Sequence, residues 1–342
     1  IQWEPSVGTG NTEVLVLAED EHEGLDTLKL TIMFPIHFER ISSSDLPLEA
    51  QSLVLSDNCA FIPGGGFNNT DSGGFCIIDI EDISSPTIIN SVLIDNTITF
   101  DIAISESIAF TTSKIKGLQC YDISNLDSIF ILPSRKSIAE PGSIVKAGDF
   151  VYISNQSRGM TVFNVKDPNR IGFINEYPTG SDNTWDVEVY NNYAYISTSY
   201  DGLHIVDISS PSNSLVRVGH YTGPEKIKET VVSDKFAYLA ADTDGFEIVD
   251  ISNLELIGDH KEDGFDPYKI SLYGNYAFLS DWGGMLKVFD IRNPRKPMLC
   301  DTLEDSYNTE RIIIKNGYAY WVSGREFRIY RVFNLRIEND TP

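Results

Sequence analysis

Apolar and polar positions alternate with a period of two along most of the chain. Between residues 186 and 221 the pieces DVEVY, YAYIST, GLHIVDI and SLVRVGHY follow one another, rich in β-branched and aromatic side chains. Gly, Asp, Asn, Ser and Pro fill the gaps, so each piece reads as a strand and each gap as a turn. No 3.6-residue pattern persists, so little helix is expected.

The same unit returns along the sequence. GFCIIDI (74–80), GLQCYDI (117–123), GMTVFNV (159–165), GLHIVDI (202–208) and GFEIVDI (245–251) are followed by the looser MLKVFDI (285–291) and EFRIYRV (326–332). Their sixth residues, Asp79, Asp122, Asn164, Asp207, Asp250, Asp290 and Arg331, lie 43, 42, 43, 43, 40 and 41 apart. A triplet keeps step with them: CAF (59–61), IAF (108–110), FVY (150–152), YAY (193–195), FAY (236–238), YAF (276–278) and YAY (318–320). A four-stranded unit of this length cannot bury both faces alone, and stacking copies around an axis gives each face a partner. The expected fold is all-β: a seven-bladed propeller of four-stranded antiparallel blades, with eight blades as the alternative. The repeated Asp ends the third strand and is expected to accept backbone N–H groups in an Asx-turn.

The last copy lacks an outer strand, and PIHFERI at 35–41 is the candidate to close the ring. Residues 1–11 read as a linker, 12–33 as a strand hairpin capping the propeller, and 34–342 as the propeller itself. The alternative gives 12–33 to a degenerate eighth blade. The strand GLHIVDIS, the preceding NNYAYIS and the opening TWDVEVY resemble LVIVD-repeat propellers over about residues 51–335. That resemblance implies a secreted or cell-surface protein, with no activity attached.

Net charge enters here as a filter on partners. With 26 Lys+Arg against 50 Asp+Glu, the chain carries −24. Such a body repels phosphate backbones, so nucleic acid is excluded as an expected partner. No apolar run is long enough for a membrane helix, and membrane insertion is not expected. Cations, basic proteins and glycans remain. Cys59, Cys76, Cys120 and Cys300 form no CxxC pair and read as small buried hydrophobes.

Candidate chemistry falls in the loops of one propeller face. Trp185, Tyr268 and Trp282 could stack on a sugar ring or anchor a peptide, beside Asp186 and Asp281. Packing between blades is their competing reading. Arg158 and Arg311 stand out in an acidic chain as carboxylate binders at the channel mouth, against a reading as plain surface charges. The inserted loop PGGGFNNTDSG at 63–73 offers oxygen ligands from Asn68, Asn69 and Asp71. Those could hold a hard cation such as calcium, though the spacing is not that of an EF-hand. No other cofactor is expected. The histidines share no metal-ligand spacing, and neither a phosphate-binding loop nor a nucleophile elbow is present. The expectation is therefore a non-catalytic binding module whose loop face meets a protein or glycan. The alternatives are an enzyme of hydrolase or lyase type with its site at the channel mouth, and a structural unit of an assembly. No catalytic residue is assigned, and the oligomeric state is left open.

Overall fold

The computed structural model describes residues 15–17, 31–33, 36–65, 72–135, 141–180, 183–304 and 309–333. It is a ring of seven four-stranded antiparallel blades, not eight. The strands of blades 1 to 6 fall within 54–94, 99–135, 141–177, 184–221, 229–260 and 267–304. Blade 4 shows the plan: Thr184–Tyr190 innermost, then Tyr193–Thr198, Leu203–Asp207 and Val216–Tyr221 outermost. First strands of neighbouring blades contact one another around the axis. A 3-10 turn occupies Asp242–Asp244, and no α-helix occurs among the described residues.

Blade 7 takes strands from both ends of the chain. Thr309–Lys315, Tyr318–Ser323 and Glu326–Phe333 are completed by His37–Asp45, which pairs antiparallel with Glu326–Phe333. The closing strand thus begins two residues after the start of the expected segment and runs four residues past its end. Within the 12–33 segment, Leu15–Leu17 pairs with Thr31–Met33 in a separate two-stranded sheet. Residues 1–11 lie outside the described residues.

Seven hydrophobic clusters lie one at each blade interface, including the one between blades 7 and 1. The triplet explains how. Its middle residue always faces the preceding blade: Ala194 packs with Tyr152 and Val162 of blade 3, and Ala237 with Tyr195 and Leu203 of blade 4. Its third residue faces the following blade, as Tyr195 does toward blade 5. Period-two alternation thus sets an aromatic ring on one face of each second strand and, on the other, an alanine in six blades and Val151 in blade 3. A ring meeting an alanine lets adjacent sheets approach closely.

The repeated Asp or Asn forms the turn expected of it. In each of the first six blades its Oδ1 accepts the N–H two residues on, at 2.8–3.0 Å. The glycine that opens the third strand is equally local in cause. Gly202 and Gly245 have φ of +66° and +82°, and a Cβ there would lie 2.0 and 2.3 Å from the carbonyl oxygens of Tyr221 and His260.

Candidate functional site

The first strands start, and the second and third strands are joined, at the same face. This face carries most of the predicted site residues, in three separate groups.

The first group is a ring around the channel. In blades 2 to 7 one repeat position, at the start of each first strand, holds Asp101, Ser143, Asp186, Glu229, Lys269 and Arg311. Each acceptor in it takes an N–H from the next blade. Asp101 Oδ2 accepts from Ile144 at 3.0 Å, Ser143 Oγ from Val187 at 3.0 Å, Asp186 Oδ2 from Thr230 at 3.1 Å and Glu229 Oε2 from Ile270 at 2.6 Å. Lys269 and Arg311 have no acceptor to offer. Instead both turn to Glu229, Arg311 as a hydrogen-bonded ion pair spanning blade 6 and Lys269 with its Nζ 3.6 Å away. The ring is a collar that ties blade to blade.

Its electrostatics follow from burial. Burial pushes the Glu229 carboxyl up, but Arg311 and Lys269 outweigh it and hold Glu229 below the usual range. Asp186 faces fewer cations, and burial with the Glu229 charge raises it to about 6. Glu188, two residues along the same strand, is raised to about 8 by burial, Asp186 and Glu229.

The second group lies between blades 4 and 5. The Trp185 indole N–H donates to Ser199 Oγ at 2.7 Å, and the Lys228 ammonium stands 3.6 Å above the ring. Lys228 also pairs with Asp242 at 3.3 Å. The third group belongs to blade 6. Tyr268 and Trp282 stack with centroids 4.3 Å apart and planes 21° apart. Tyr268 is buried while Trp282 is 46% exposed, so the stack presents one face of an indole to solvent. The buried Tyr268 hydroxyl lies 2.8 Å from Glu310 Oε2 and 2.7 Å from the Thr309 carbonyl oxygen. Burial raises Glu310 to about 7.

The predicted residues therefore do not converge on one pocket. Asp186 and Arg311 share the collar, Trp185 sits at the next interface, and Tyr268 with Trp282 forms the blade 6 platform. Asp281 Oδ1 accepts the Met285 N–H at 2.7 Å and shapes the Trp282 turn. Arg158 lies apart, pairing with Glu176 within blade 3 at 3.5 Å. Asn68, Asn69 and Asp71 lie outside the described residues. Glu188, Glu229, Lys269 and Lys228 were not anticipated. A signal existed for the collar: 101, 143, 186, 229, 269 and 311 recur with the repeat spacing, and five of the six are charged. All four cysteines are free, and burial raises each thiol, in keeping with a packing role.

Seven blades closed by a strand from the opposite end of the chain define a β-propeller. LVIVD repeats are found in four places in it, at residues 49–94, 181–222, 226–255 and 266–309. Blades 2, 3 and 7 lie outside these stretches yet keep the same strand order. The WD40 β-propeller domain of Doa1 is similar with a TM-score of 0.69 at 9% identity, over 86% of this chain and 96% of that one. A chain of the mitotic checkpoint complex gives 0.70 at 10% identity, over 94% of this chain and 99% of that one. The computationally designed Ika8 protein gives 0.60 at 10% identity, over 86% and 99%. At such identities the likeness is one of fold alone. No curated protein matches the chain at a significant level. No helix of the described residues is long and apolar enough to cross a membrane.

Proposed function

We propose that the chain is a binding module, secreted or displayed at a cell surface, whose loop face holds a protein or glycan partner. A propeller with LVIVD repeats points to a binding or scaffold module in general. The finer reading rests on the exposed aromatics of that face. Trp282 is held flat on Tyr268, and Tyr200 is 69% exposed on left-handed backbone with φ +69°. Large rings fixed in place and open to water suit stacking on a sugar or anchoring of a peptide. The net charge of −24 favours neutral glycans and basic proteins among partners. The surface location rests on the repeat resemblance.

Probing glycan and peptide arrays with the wild type, Trp282→Ala and Tyr200→Ala tests this reading. Bound ligands should weaken roughly ten-fold or more in at least one variant, the effect of losing an aromatic anchor. Ligands held equally by all three proteins would overturn it.

A second reading, an enzyme working at the channel mouth, is favoured by the adjacent Asp186 and Glu188 carboxyls, raised to about 6 and about 8. The hydrogen bond from Thr230 to Asp186 weighs the other way, because it commits that carboxylate to joining blades. Turnover that Glu188→Gln abolishes would favour the enzyme.

A further inference from the structure

Blade 4 gathers three potential metal ligands that the sequence spacing conceals. His204 on the third strand and His220 on the fourth are direct cross-strand partners, and Asp201 lies in the turn that leads into the third strand. His204 Nε2 is 2.8 Å from Asp201 Oδ2, and His220 Nε2 is 3.2 Å from Asp201 Oδ1. One ligand atom from each residue lies within 4.8 Å of the other two. Two imidazoles and a carboxylate on such a triangle are the donor set of a three-ligand zinc site with an open fourth position.

The surroundings hold that geometry. His204 is 1% exposed, and its second nitrogen, Nδ1, is 3.1 Å from the Tyr177 hydroxyl. A partner on the far ring nitrogen fixes the imidazole plane and turns Nε2 toward Asp201, the usual support of a metal-bound histidine. The tyrosine hydroxyl can donate or accept, so it accommodates Nδ1–H when Nε2 bears a metal. His220 Nε2 also lies 2.7 Å from the Asp201 carbonyl oxygen, and the two imidazole centroids are 4.7 Å apart. The outer side is open, with side-chain exposures of 24% for His220 and 38% for Asp201, so an ion and a water can enter.

We propose that Asp201, His204 and His220 form a site for one divalent ion of the zinc class. Imidazole nitrogens select zinc, cobalt, nickel or copper over calcium and magnesium, which prefer oxygen donors. The ion takes the place of the direct hydrogen bonds between the imidazoles and the carboxylate. Tyr200, an exposed ring of the loop face, immediately precedes Asp201 in the chain.

Titration of the 342-residue chain, after dialysis against a chelator, with zinc by calorimetry and with cobalt by visible absorption tests the site. One zinc ion per chain is expected, with cobalt d–d bands showing nitrogen and oxygen ligation. Asp201→Asn and His220→Gln change partly exposed positions and should each weaken zinc on the order of 100-fold or more. Tyr177→Phe should weaken it about ten-fold while leaving the stoichiometry intact. Circular dichroism confirms folding of each variant. Absence of zinc and cobalt binding in the folded wild type would overturn the proposal. So would wild-type zinc affinity in Asp201→Asn and His220→Gln, or a site that takes calcium in preference to zinc.

Discussion

Glu188 shows how far burial and like charge carry one side chain. Its ordinary pKa is 4.5, and burial with Asp186 and Glu229 moves it to about 8. Asp186 and Glu310 move the same way, from 3.8 to about 6 and from 4.5 to about 7. Each binds its proton more tightly in the folded chain than in the unfolded one. The stability this contributes is complete below pH 4 and is lost as pH rises through about 6, about 7 and about 8. Glu229 has the opposite sign: its depressed pKa contributes stability at neutral pH that is lost in acid as the carboxylate protonates. Glu188→Gln keeps the shape and removes the last alkaline step. At pH 9 the variant should be more stable than the wild type by roughly 1–3 kcal/mol, and at pH 5 the two should nearly coincide. Urea unfolding at both pH values measures this, and equal stabilities at pH 9 would mean that Glu188 ionises freely in the folded state.

At the level of the strand, the recurring triplet sets the blade spacing by putting a small residue against a ring. Ala237 and Tyr195 share the cluster between blades 4 and 5, and Ala237 is fully buried. Ala237→Leu should cost roughly 1–3 kcal/mol by overpacking. Combining it with Tyr195→Ala should recover part of that loss, with a coupling of roughly 0.5–3 kcal/mol. Strict additivity in a urea-unfolding cycle would show that the ring-on-alanine contact does not set the spacing. This contact was legible only in part beforehand. Repeat spacing reveals the blades, and alternation places Ala237 and Tyr238 on opposite faces, but neither tells which neighbour each face meets. The Asx-turns at Asp79 and Asp207 were readable because their cause lies within two residues of each. The collar and the His204–His220 pair were not. The bond from Thr230 to Asp186 crosses between blades, and the two histidines meet through strand register across a 16-residue separation that matches no ligand motif.

For the whole molecule the decisive feature is closure. Each blade buries its two faces on its neighbours, so the ring holds only if blade 7 is complete and meets blade 1. The strand His37–Asp45 serves both needs. It covers the edge of Glu326–Phe333, and its Ser42 and Ser44 hydroxyls donate to the Ile83 and Pro86 carbonyl oxygens of blade 1 at 2.6 and 3.1 Å. Just after it, Leu46 and Leu48 are buried among Tyr320, Phe327 and Ile329 of blade 7 and Ile62 and Ile78 of blade 1. A chain beginning at residue 46 keeps those leucines but leaves the third strand of blade 7 as an open edge, a template for pairing with other chains. That chain should melt at a lower temperature and associate in light scattering. A synthetic peptide of residues 35–45 should add as a strand in trans, restoring a single species. At ~100 times its Kd the peptide should return roughly 2.7 kcal/mol to the shortened chain and nothing to the untruncated 342-residue one, whose edge is already occupied. A shortened chain as stable and monodisperse as the 342-residue one would show that inter-blade packing alone holds the ring and that the closing strand is dispensable.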